Sequence, residues 1–179
     1  MNAGQIVPQT VLPYGPHTHC AITQNGKLYK VLLKELEPRL DLKIRYGAIL
    51  REQCKFYGIA QELPPCPEVR TSVQYLGTDT QRLYSLMQTK EPITPREIHQ
   101  EVAKSARFAA DGRFLLHFAN RFKPEQMPFE MIIGAGGHYT YQGETLYPTV
   151  VPVENGWVLK ALKFPEIAPD NNIAFLTWN

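Results

Sequence analysis

From Phe129 to the last residue, turn formers cut the chain into runs long enough for strands and too short for helices. The runs are Phe129–Ile133, His138–Tyr141, Thr145–Val153, Gly156–Phe164 and Ile173–Trp178, all rich in β-branched and aromatic residues. Gly134-Ala-Gly-Gly137, Gln142-Gly143, Asn155-Gly156 and Pro169-Asp-Asn-Asn172 separate them. Branched and ring side chains fit a pleated, half-buried surface, and Gly, Asn and Asp accept the backbone angles of tight turns. This stretch predicts an antiparallel meander.

Upstream the texture is helical. Thr94-Pro95-Arg96-Glu97 combines an N-cap hydroxyl, a proline at N1 and a glutamate at N3, the pattern of a capping box. Ile98, Val102, Ala106 and Ala109 then give its buried stripe, and Asp111-Gly112 breaks it. A second helix is expected over Arg113 to Phe122. Between Leu40 and Tyr57, Leu42, Tyr46, Ile49, Leu50 and Tyr57 follow helical spacing, with Gly58 as the stop. A short helix near Thr80–Gln88, capped by Asp79, and a strand over Val69 to Leu76 complete the middle. Leu63-Pro-Pro-Cys-Pro67 has to be a loop, because its prolines remove donors and restrict φ.

Near the start, Asn25-Gly26 lies between Cys20–Gln24 and Lys27–Leu33, a strong hairpin signal. The order is therefore an N-terminal β-hairpin, central helices and a C-terminal antiparallel β-meander packed on the helices. This is an α+β class, not the β-α-β alternation of nucleotide-binding folds. Residues 1–16, rich in Pro, Gln and small side chains, read as an extended arm, and 17–179 as a single domain.

Three cysteines (Cys20, Cys54 and Cys66) form no framework spacing, and neither a signal peptide nor a run of membrane-spanning length is present, so a reduced, cytoplasmic setting is expected. A net charge of +2 is too small to argue for nucleic acid. Its distribution is uneven: Lys27–Lys55 holds eight basic residues against four acidic, and the chain from Glu125 onward six acidic against two lysines. Lys43, Arg51 and Lys55 recur at helical spacing and would make one basic face, a candidate binding stripe for an anionic partner.

His17-Thr18-His19-Cys20 is the densest cluster of reactive groups. Histidines on alternate residues of an extended segment project from one face, as needed to share a metal ion. His17 and His19 are the candidate ligands, and His138 or Glu144 the candidates to complete the set. Pro16-His17-Thr18-His19 resembles the His-hydrophobe-His strand of rolling-circle replication and relaxase endonucleases. That resemblance implies a metal-polarised DNA phosphate and a helical tyrosine nucleophile, here Tyr46 or Tyr57. The middle residue is threonine, however, and no Tyr-x-x-Lys motif occurs. His138-Tyr139-Thr140 resembles one of the paired His-x-Thr/Ser motifs of the two-histidine phosphoesterases, which would make His17, His19 and His138 the acid-base groups. In the partner motif histidine replaces the hydroxyl residue.

Gly134–Gly137 lacks the Lys-Ser/Thr and helix of a phosphate loop, so a turn or a close backbone approach is expected instead. No cofactor signature is present. The expected function is that of a cofactor-free binding or interaction module, with a protein partner, a second copy of the chain or nucleic acid as its target and no membrane. The competing expectations are a metal-dependent or two-histidine phosphodiesterase, and a subunit that donates its N-terminal arm to a neighbour.

Overall fold

A computed structural model describes residues 10–12, 19–23, 26–33, 41–44, 49–71, 80–104, 107–169 and 172–178. In chain order the elements are β1 (Thr10–Leu12), β2 (His19–Thr23), β3 (Leu28–Leu33), β4 (Asp41–Ile44), α1 (Leu50–Tyr57), β5 (Ala60–Glu62), β6 (Val69–Arg70) and β7 (Thr80–Thr89). Then come α2 (Pro95–Ala103), β8 (Phe108–Ala109), α3 (Gly112–Arg121), a 3-10 turn (Pro124–Gln126), β9 (Met131–Ile133), β10 (Gly137–Tyr141), β11 (Glu144–Val153), β12 (Gly156–Leu162) and β13 (Ile173–Trp178). The class is α+β, with helices packed on a mixed sheet whose main path runs β1-β2-β3-β7-β13-β9-β11-β10-β6.

Alternation along the central strands divides the apolar residues between two sheet faces. On β13, Ala174, Leu176 and Trp178 join one buried cluster while Ile173 and Phe175 join another. Ile132 and Ile133 of β9, and Leu86 and Met87 of β7, divide the same way. Leu50 and Cys54 of α1 and Phe114, Leu115 and Phe118 of α3 belong to the first cluster, Ile98 and Val102 of α2 to the second. Since successive strand residues point to opposite faces, α1 and α3 cover one side of the sheet and α2 the other.

The local signals of the capped helices are realised. Thr94 Oγ1 accepts from the Glu97 amide and the Glu97 carboxylate accepts from the Thr94 amide at 2.9 Å, closing the capping box. Asp111-Gly112 does more than break a helix: Asp111 is the N-cap of α3, accepting from the Arg113 amide at 2.9 Å. Gly58 ends α1 with φ at 66°. Gln142 and Gly143, at φ 50° and 79°, join β10 to β11 through a two-residue turn that pairs Tyr141 with Glu144. Gly136 is the close approach expected of the glycine-rich segment: its amide donates to the Ala110 carbonyl at 2.7 Å, and a Cβ there would collide with the Ala109 carbonyl.

Other expectations are corrected. Among the described residues of the helix expected over Leu40–Tyr57, Asp41–Ile44 is a strand, β4, and Leu50–Tyr57 is α1, while 40 and 45–48 lie outside them. Asp41-Leu-Lys-Ile44 also alternates polar with apolar, and pairing with β7 supplies its backbone partners. Thr80–Gln88 is not a helix but most of the ten-residue β7, held between β3 and β13. Tyr84, Ser85, Leu86 and Met87 are all buried, and burial on both faces erases the period of two that marks a strand. Of the strand expected over Val69–Leu76 only Val69 and Arg70 are strand, and 72–79 lie outside the described residues. The α2 stripe ends at Val102: Ala109 is in β8, and Ala106 lies outside the described residues. β2 and β3 pair as the expected hairpin with Thr23 opposite Tyr29, whereas a two-residue Asn25-Gly26 turn would pair Gln24 with Lys27; residues 24 and 25 lie outside the described residues. The meander itself spans β10–β11–β12; β13 runs parallel to β9 and reaches the middle of the sheet beside β7.

Candidate functional site

The β6–β10 ribbon ends the main sheet path, and its register puts different chemistry on its two sides. Gly137 pairs with Arg70 and His138 with Val69. Directly paired residues share a face, so Arg70 and Tyr139 face one way and Val69 and His138 the other.

On the first side lies a cleft of about 790 Å³ lined by Ile49, Leu50, Arg51, Leu63, Pro65, Cys66, Pro67, Glu68, Arg70 and Tyr139. Its apolar wall comes from the start of α1 and the proline loop. Arg51 braces that loop: its Nη1 donates to Gln61 Oε1 at 3.1 Å, and its Nη2 donates to the carbonyls of Leu63, at 2.9 Å, and Pro64. The proline loop thus follows the helix that bears Arg51.

Four ionisable side chains gather at the floor of the cleft. Asp111 and Arg113 are buried together, with Arg113 Nη2 2.6 Å from Asp111 Oδ2 and Nε donating to both carboxylate oxygens. Glu68 accepts from the Gly112 amide at the start of α3, at 3.2 and 3.3 Å. Two glycines adjoin this carboxyl: a Cβ on Gly137 would lie 2.5 Å from Glu68 Oε1, and one on Gly112 would also press on the group, so either substitution would have to move it. Arg70 Nε sits 3.8 Å from Asp111 and 4.0 Å from Glu68, and this buried nitrogen makes no hydrogen bond among the described residues.

Burial, then the neighbouring Asp111 carboxylate, pushes Glu68 up to about 8, against the Gly112 amide and the two arginines. Glu68 is thus largely a neutral carboxylic acid at pH 7. Burial also holds the Tyr139 phenol protonated well above its usual range, with the Glu68 charge adding to the effect. Cys54 behind them is pushed up to about 11 by burial and stays a thiol. Cys66 Sγ lies 3.6 Å from the Thr140 carbonyl.

On the other side of the ribbon, Thr71 Oγ1 is 2.6 Å from His99 Nε2 and donates to the Gly136 carbonyl at 3.1 Å. His99 is held below its ordinary pKa by burial first and by the nearby His138, with the Ala135 carbonyl opposing. His138 packs toward Tyr147, ring centres 6.3 Å apart.

The residues singled out in the sequence are dispersed. His17 lies outside the described residues, and His19 opens β2. Five strands stand between β2 and β10, the strand of His138, along the sheet path. Lys43 is on β4, so it does not share a helix face with Arg51 and Lys55 of α1. Among the described residues no three His, Cys, Asp or Glu side chains are grouped to hold a metal ion, and no helix is long and apolar enough to cross a membrane. Glu68, Arg70, Asp111 and Tyr139 were not anticipated. Glu68-Val69-Arg70 carries the alternate-residue pattern of His17 and His19, and Asp111 is an N-cap type before a helical run, so both signals were in the chain. Compared with known proteins, the chain matches no family model, no curated protein and no solved structure.

Proposed function

We propose that this chain is a binding module whose working surface is the cleft between the start of α1, the proline loop and the β6–β10 ribbon. The observation that carries this reading is Arg70: an arginine side chain, about a third exposed, that lines an open cleft beside apolar side chains. An apolar wall with a few converging polar groups is the usual constitution of a small-molecule site. The basic stripe that suggested an extended anionic partner is not assembled on one helix face, and Arg51 uses its donors on Gln61, Leu63 and Pro64.

The test is chemical-shift mapping of the labelled protein against a set of small organic fragments. Perturbations are expected to concentrate on Ile49–Arg51, Cys66–Arg70 and Tyr139, and to weaken in Cys66→Phe, which narrows the cleft. Perturbations confined to other surfaces, or chemical conversion of a bound fragment, would overturn the reading.

A further inference from the structure

We infer that the cleft takes a small organic acid: an apolar body lies against the proline loop and the start of α1, and its carboxylate is held by Arg70. The inference rests on the cleft being the binding surface and adds the class of ligand.

Charge decides the sign of the head group. Arg51 and Arg70 line the cleft, and Arg70 and Arg113 lie within ion-pair reach of one carboxylate, Asp111, which Arg113 already engages through Nε and Nη2. With Glu68 neutral the set has two positive charges in excess, and with Glu68 ionised it has one. In either state an anion is favoured over a cation. Arg113 is buried and committed, and Arg51 is committed to three oxygens, so Arg70 is the cation left to meet a ligand. Its side chain is 31 % exposed while Glu68 is 5 % exposed, which places the positive group on the open side and the carboxyl group beneath it.

The shape decides the rest. Ile49, Leu50, Leu63, Pro65 and Pro67 present hydrocarbon around the cationic end, and Ile49 remains 64 % exposed. Apolar surface beside one cation suits an amphipathic acid better than a bare inorganic anion, because burial of the body adds to the charge-assisted hydrogen bonds of the head. A volume of about 790 Å³ has room for a ring or a medium-length alkyl chain. Glu68 sets the pH range: as the neutral acid it is compatible with a nearby carboxylate, and as the anion it repels one. Affinity should fall as pH rises through about 8.

Calorimetry with benzoate, 3-phenylpropionate and octanoate, beside the matching amides and inorganic phosphate, tests the inference, with chemical-shift mapping reporting where each probe binds. At least one carboxylate should bind in the cleft, about tenfold or more tighter than its amide, and Arg70→Gln should remove that preference. Binding of that acid should weaken severalfold between pH 6.5 and 9 in the natural chain and stay level in Glu68→Gln, which keeps the cleft intact if Arg70→Gln fails to fold. Amides that bind in the cleft as tightly as acids would sink the ligand class and leave the cleft reading standing. Phosphate binding without the organic acids would sink it too. Failure of every probe would overturn the inference, and the fragment mapping would then decide the cleft reading separately.

Discussion

Glu68 is an ionisable group whose surroundings oppose one another. The Gly112 amide and two arginines favour the anion, burial and Asp111 favour the acid, and the acid prevails. Its folded-state pKa lies above its unfolded value, so the native chain holds a proton that the unfolded chain gives up. Its contribution to stability is full below pH 4.5 and is lost as pH rises through about 8. Glu68→Gln should therefore change little at pH 4.5 and raise the melting temperature relative to the natural chain at pH 8.5. The whole linkage is on the order of 5 kcal/mol at most. Parallel stability profiles of the two proteins across that range would refute the buried-acid assignment. Gly112 and Gly137 belong to the same description, since a Cβ on either would displace the Glu68 carboxyl.

Helix ends are the elements whose chemistry is most local here, and α2 is the clearest. Thr94 and Glu97 satisfy each other's amides, and Lys27 lies 3.3 Å from the Glu97 carboxylate. These bonds hold Glu97 down to about 2, with Thr94 the principal cause. Thr94→Ala should cost about 1 kcal/mol in urea unfolding, without change in the denaturant slope. A loss below a few tenths would mean that the cap is solvated in place of the hydroxyl. Its folded pKa is depressed, so the Glu97 contribution is present above pH 4.5 and lost as pH falls toward 2. The cost of Thr94→Ala should shrink in that acidic interval. Cap residues reveal themselves in sequence because their partners are three residues away. β7 did not, because the neighbours that make it a strand are β3, near the start of the chain, and β13, at its end.

Across the molecule, β13 ties the two apolar clusters together. Pairing with β7 on one side and with β9 and β8 on the other, it contributes Phe175 to one face of the sheet and Leu176 and Trp178 to the opposite face. Phe175→Ala should cost about 3–5 kcal/mol, and its effect should extend across the sheet to β7 and β9 in amide exchange. Loss of protection confined to residues near Phe175 would show that the two faces unfold independently. The site depends on the same convergence: α3 delivers Asp111, Gly112 and Arg113, β6 delivers Arg70 and β10 delivers Gly137 and Tyr139, from segments far apart in the chain.

What could be read without coordinates was what neighbours in the chain impose on one another. The capping box at Thr94, the stop at Gly58 and the two-residue turn at Gln142-Gly143 follow from steric rules and hydrogen bonds spanning a few residues, and the α+β class from the order of such local signals. Chemically dense runs such as His17-Thr-His-Cys20 attract the eye for the same reason, although density along a chain is not convergence in space. The identity of β7, the place of β13 in the middle of the sheet, and the meeting of Glu68, Arg70 and Asp111 became visible only in the assembled fold. Those features depend on long-range pairing and on the burial that raises Glu68, and both arise when distant segments exclude water from one another.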